Sequence, residues 1–329
     1  MTDHLAYDYF YQIGNLKIHC NTEEKVIYSA PYNNFRLISE VPFCATETVY
    51  VRQLRNIPQE FFMKESIFAD SRNRVIFQSG RIVRFTGNFC EGEDTSERWI
   101  GCAVYKDENT GEKQDSVGDI KGGRSYPQRV TLYVNPGIEE GRKTDGQAKL
   151  TDSRLFDALG LDYIMSHNHR VILHSSFIFR QGEGILFTAP SGTGKSTQAD
   201  LWKRHEEGVT IINGDRSILG FKAGRTWAYG LPFCGTSGIA ENMDCPLRAV
   251  VVLRQGRENQ IRRLGQREAF SLLLSECTVN TWDTEGTENI MDLLIRIVRT
   301  VPVYYFACLP DFSAVEMLKA ALADDYRKG

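Results

Sequence analysis

A chain of 329 residues, 42% hydrophobic and 25% charged, is long enough to bury one large core or two and has an ordinary globular composition. A net charge of −3 gives no basic footprint for nucleic acid, and no apolar run approaches the roughly 18–20 residues that cross a bilayer; neither partner is expected. The eight cysteines form no C-x-x-C pair, which predicts reduced thiols rather than a disulfide frame or a zinc site. The acidic start of the chain lacks the basic-then-apolar pattern of a secretory leader, so a cytoplasmic location is expected.

In chain order, residues 5 to about 135 hold short runs rich in β-branched and aromatic residues: 7–13, 16–20, 48–52, 74–77, 81–85, 99–105 and 129–134. Turn residues at Gln78-Ser-Gly80 predict a hairpin over 74–85, and this half is expected to be largely antiparallel. Two polar stretches, 106–128 and 136–149, read as exposed loops. A short helix from Arg154 to Leu159, capped by Asp152 or Ser153, should end at Gly160. Strands then follow at 171–179, 184–189 and 209–213, with a hairpin around Ala223-Gly-Arg225 and a central apolar strand at 248–253. Helices are expected at 266–276 and 287–300, the latter from Ile290, Leu293, Leu294, Ile297 and Val298 at helical spacing, then a strand at 303–308 and a helix at 313–323. The expected organisation is a β-rich N-terminal region, 1–150, and an α/β domain, 151–329, which could pack as one unit.

The segment Ala189-Pro-Ser-Gly-Thr-Gly-Lys-Ser-Thr197 stands between an apolar strand and a helix, the context that makes a glycine-rich loop a phosphate site. Backbone N–H groups of Ser191, Gly192, Thr193, Gly194 and Lys195 can converge on a polyphosphate at the positive end of the helix. Lys195 would reach the β- and γ-phosphates, and the Ser196 hydroxyl, next to Thr197, would bind Mg²⁺. Alanine replaces the loop's usual first glycine at 189, which a negative φ accommodates. The expected ligands are ATP and Mg²⁺.

Phosphoryl transfer also needs a group that aligns or deprotonates the acceptor. Asp215 in Asn213-Gly-Asp-Arg216, after a strand expected to neighbour the loop strand, could bind Mg²⁺ or accept the acceptor's proton, or be an ordinary turn residue. His174, mid-strand among apolar neighbours, is a core histidine or a site residue. His167 and His169 form a His-x-His pair with no further ligand at metal spacing. Gly235, Thr236 and Ser237, in a run flanked by Gly230 and Gly238, have the composition of a substrate loop or of a plain turn.

Over about 165–260, His174, Ala189–Thr197, Asn213–Arg216 and the later glycine-rich run resemble the HPr kinase/phosphorylase and PEP carboxykinase-type nucleotide-binding family. The resemblance implies a β-rich mixed-sheet α/β (α+β) core carrying the phosphate loop; the N-terminal half, read above as mainly antiparallel, fits the family only loosely. It also implies His174 and Asp215 beside the transferring phosphoryl group, with Mg²⁺ on Ser196. HPr kinase has two adjacent aspartates where this chain has Gly214-Asp215, and no HPr-docking segment is recognisable. The expected activity is kinase transfer of the γ-phosphate to a hydroxyl, a serine of a small protein or peptide or a small hydroxyl compound. The alternative is a nucleotide-binding regulatory or scaffold protein with little or no transfer. A homo-oligomer is compatible with the resemblance.

Overall fold

Asn168 ends one compact unit of the chain and His169 begins the other. The computed structural model describes residues 7–37, 48–90, 95–106, 129–139, 142–143 and 148–328. The acidic start and, from 107 on, the expected 106–128 loop lie outside the described residues, as does Cys44. No helix among the described residues is long and apolar enough to cross a membrane. Every cysteine among the described residues is a free thiol, and burial pushes the thiols of Cys20, Cys102, Cys245 and Cys277 up, away from the reactive thiolate.

The first unit contains strands β1 (Tyr7–Ile13), β2 (Leu16–Thr22), β3 (Arg36–Leu37), β4 (Thr48–Leu54), β5 (Phe68–Ala69), β6 (Asn73–Gln78), β7 (Arg81–Gly87), β8 (Trp99–Lys106) and β9 (Arg129–Val134), with helix α1 (Thr95–Arg98) before β8. They form one sheet in the order β3-β1-β2-β4-β9-β8-β7-β6-β5. It is antiparallel except at β4, which runs parallel to both β2 and β9. The β6–β7 hairpin turns on Ser79 and Gly80, both at positive φ, the two-residue geometry whose twist matches paired strands. Part of the polar 136–149 stretch is itself a hairpin, β10 (Ile138–Glu139) with β11 (Arg142–Lys143).

Helices α2 (Asp152–Leu159) and α3 (Leu161–His167) also belong to this unit, although the sequence placed the division at 150/151. The cap of α2 is Thr151, whose hydroxyl accepts the Arg154 N–H at 3.3 Å, and neither Asp152 nor Ser153. Asp152 is instead buried in the first turn, accepting from the Ser29 hydroxyl and N–H.

The second unit runs β12 (Val171–Arg180), β13 (Glu183–Thr188), α4 (Lys195–His205), β14 (Thr210–Asn213), β15 (Arg216–Lys222), β16 (Arg225–Tyr229), β17 (Asp244–Gln255), β18 (Gln260–Arg263), α5 (Gln266–Glu276), α6 (Thr284–Thr300), β19 (Val303–Cys308) and α7 (Phe312–Lys328). Its strand order is β13-β12-β15-β16-β17-β19-β18, and a further parallel pairing of β13 with β17 closes a circuit β12–β13–β17–β16–β15. This is the mixed α/β arrangement expected, with parallel pairs β13–β17 and β17–β19 among antiparallel ones.

Burial on both faces explains why residues 249–253 of β17 and 185–187 of β13 are continuously apolar. Ala249, Val251 and Leu253, with Ile185 and Phe187, face a core containing Ala199, Leu201 and Trp202 of α4 and Ala314, Val315 and Leu318 of α7. Val250, Val252 and Leu186 face the opposite core, with Leu273 of α5 and Ile290, Leu294 and Ile297 of α6. Helix α6 begins three residues before its expected start because Asp283 caps it, accepting the Gly286 N–H at 3.1 Å. Strand β18 has no counterpart among the expected elements. Its residues, Gln260-Ile-Arg-Arg263, carry one apolar side chain, as suits a charged edge strand.

One expectation is corrected here. The strand ending at Asn213 does not neighbour the loop strand; β14 pairs with β12, which lies between it and β13.

Candidate active site

The loop leaves β13 at Thr188 and enters α4 at Lys195. Gly192 and Gly194 have φ of 79° and 112°, where a side chain would strain the backbone, whereas Ala189 keeps an ordinary φ. A Cβ placed on Gly192 or Gly194 would meet nothing within 4 Å, so the space before the loop is open. The turn is held by the Thr193 hydroxyl, which donates to Pro190 O at 2.8 Å, and by Gln255 Nε2, which donates to Gly192 O at 3.3 Å. Ser191, Gly192, Ser196 and Thr197 are exposed. Lys195 is buried, and its Nζ donates to Ala189 O at 2.8 Å. Burial holds the Lys195 ammonium below the ordinary lysine range, opposed by the carboxylates of Glu276 and Asp215. The lysine at the loop's foot therefore shares its surroundings with two acids.

Asp215 owes its position to an interruption of β12's neighbour. Residues 171–174 of β12 pair with β15 and residues 177–179 with β14, so Gly214 and Asp215 bulge between two strands that share one partner. Opposite the bulge, Ser175 N–H donates to Asp215 O at 2.9 Å and the Ser176 hydroxyl to Gly214 O at 3.0 Å. Asn213, wholly buried, clamps the turn. Its Oδ1 accepts from the N–H of Asp215 and Arg216 at 2.8 and 2.9 Å, and its Nδ2 donates to Leu231 O and Phe233 O. Replacing Asn213 by alanine leaves buried amides and carbonyls without partners. The expected loss is about 3 kcal/mol of stability, read as a lower denaturant midpoint at unchanged slope.

The bulge aims the Asp215 carboxylate at His174, whose Nε2 lies 3.6 Å from Oδ1, while Arg216 Nε lies 3.4 Å from Oδ2. On the far side of the imidazole, Nδ1 is 3.2 Å from Oε2 of Glu276. Sequence reasoning missed Glu276, the last residue of α5. The one signal it offers is an acid at a helix C-terminus, where the helix dipole disfavours negative charge.

The Gly235–Ser237 turn packs directly on this bulge. A Cβ on Gly214 would fall 2.2 Å from Ser237 Oγ, and one on Gly235 would fall 2.8 Å from Asp215 Cγ, so both positions require glycine. Ser237's hydroxyl is engaged within the turn, donating to Cys234 O at 2.6 Å and accepting from the Ile239 N–H. Thr236 is exposed at the tip. His167 lies in the first unit, buried with its ring 4.4 Å from Tyr163's.

Ser196 and Asp215 are oxygen donors reachable from solvent, the kind a hard cation takes. Among the described residues no group of three or more His, Cys, Asp or Glu converges on a metal position. Mg²⁺ commonly keeps waters and uses phosphate oxygens beside one or two protein ligands, so this sparse donor set fits it.

Residues 160–311 match the family model described as SynChlorMet cassette protein ScmC, just under half of the chain. No curated protein matches the chain. Among solved structures, the Hpr(Ser) kinase/phosphatase from Coxiella burnetii is similar at 14% identity over 47% of this chain and 90% of its own, with a TM-score of 0.27.

Proposed function

We propose that the chain is an ATP- and Mg²⁺-dependent kinase that transfers the γ-phosphate to a hydroxyl, with a serine of a small protein or peptide as the favoured acceptor. The observation that carries this reading is that the strand feeding the open glycine-rich turn is joined to His174, the Thr188 hydroxyl donating to His174 O at 2.8 Å, with the Asp215 carboxylate 3.6 Å from that imidazole and a buried lysine at the loop's foot. A lysine kept in low-dielectric surroundings without a full counter-charge is poised for an anionic ligand. In this reading the amides of Ser191–Lys195 and the Lys195 ammonium would hold the β- and γ-phosphates. Ser196 and Asp215 would hold Mg²⁺, which offsets charge on the phosphate oxygens. Asp215 orients the acceptor hydroxyl or takes its proton, the exposed Gly235–Ser237 turn borders the acceptor, and His174, 3.6 Å from the carboxylate, faces the same acceptor.

Calorimetric titration with Mg·ATP, followed by transfer of labelled γ-phosphate to serine-containing peptides encoded beside the gene, tests the reading. Uptake of Mg·ATP and label on a serine are expected. Uptake without transfer to any hydroxyl would favour a nucleotide-binding regulatory protein. No uptake would remove both.

A further inference from the structure

The imidazole of His174 stands between two carboxylates, Glu276 at 3.2 Å from Nδ1 and Asp215 at 3.6 Å from Nε2. The first distance suits a hydrogen bond and the second does not. A neutral imidazole has one N–H, and the shorter contact is the one that requires it, since a lone pair facing a carboxylate at 3.2 Å would be repelled. We propose that Glu276 is a positioning residue that holds the N–H on Nδ1 and leaves Nε2 as a bare acceptor. Nε2 and Asp215 Oδ1 are then two acceptors 3.6 Å apart, a fork for one donor, and the acceptor hydroxyl is that donor. This rests on the kinase reading above for the identity of the donor, but not for the state of the ring.

The placement of Glu276 is built into the fold. Immediately after it, Cys277 bridges to Leu173, and Thr278 N–H donates to Ile172 O at 2.9 Å. The end of α5 is thus tied in register beside His174, 102 positions earlier in the chain. Glu276 is nearly buried, with 12% of its side chain exposed. Arg216 Nε lies 3.4 Å from Asp215 Oδ2, so a cation stands on the side of the fork away from Nε2.

The test couples two readouts. Long-range ¹H–¹⁵N spectra of the imidazoles, with His174 assigned by the signal lost in His174→Gln, should show the hydrogen on Nδ1 in the wild type and a shift toward Nε2–H in Glu276→Ala. Steady-state kinetics should show kcat lowered about a hundredfold in Glu276→Ala with no weakening of Mg·ATP binding. Glu276→Gln keeps a carbonyl acceptor and should restore both the tautomer and kcat to within about fivefold of wild type. An Nε2–H signal in the wild type, or an unchanged tautomer in Glu276→Ala, overturns the proposal, and the wild-type spectrum decides even where that variant does not fold. Control of the tautomer by Glu276 in a protein that transfers no phosphate would uphold the positioning role and overturn the kinase reading alone.

Discussion

Lys195→Ala is expected to abolish phosphate transfer and to weaken Mg·ATP uptake at least about a hundredfold. The side chain is buried at the start of α4, with its ammonium turned onto the carbonyls of Ala189 and Pro190. Two backbone carbonyls and the nearby acids Glu276 and Asp215 only partly offset the cost of desolvating the charge. A triphosphate would supply the missing counter-charge, and alanine would leave that anion facing two carboxylates with no cation between. Calorimetry on the folded variant measures the binding loss. The lysine also leaves a signature in stability. Its folded pKa lies below its unfolded one, so the unfolded chain binds more protons in the window between them. The lysine's destabilising contribution is full below that window and fades as pH rises through it. Thermal melts across alkaline pH should therefore rise less steeply, or fall sooner, in Lys195→Ala than in the wild type. Equal slopes would mean that the ammonium is not desolvated.

Asp215→Asn should lower kcat by at least about a hundredfold while leaving Mg·ATP uptake within a few-fold of wild type. The amide is nearly isosteric, and the bulge is held by backbone contacts to Ser175 and Ser176 and by the Asn213 clamp, none of which uses the Asp215 carboxylate. What changes is the charge facing His174 and Arg216, and the capacity to accept a proton; Mg²⁺ would keep the amide oxygen, Ser196 and the phosphate oxygens as ligands. Separate measurement of kcat and Kd distinguishes this from the lysine variant, in which both change. Turnover at the wild-type rate would remove Asp215 from the chemistry.

Much of the second unit could be read in advance because residues 185–187 of β13 and 249–253 of β17 are buried on both faces and therefore continuously apolar, and because α6 repeats its apolar residues at helical spacing. Local signals also located the glycine-rich loop and Asp215 with its turn. Pairing was less legible. The chain reads Val209–Arg216 as strand and turn, but nothing local tells that both flanking strands share β12 as partner, which makes the turn a bulge. The same limit hid the parallel pairings of β4 and the charged edge strand β18, whose sequence has too little apolar content to announce a strand. Glu276 was out of reach for a different reason: its role depends on a single bridge between segments a hundred residues apart, and only its unfavourable place at a helix end marks it.

That bridge bears on how the protein is made. The glycine-rich loop and the Asp215 turn emerge from the ribosome well before α5, and β17, which must run parallel beside β13, comes later than both. A nascent chain released after residue 260 would hold the glycine-rich loop without Glu276, the proposed partner of the His174 imidazole. Such long-range closures form late in folding, so the chemistry should switch on only once the C-terminal third has docked. Prematurely terminated chains would then be silent rather than misregulated.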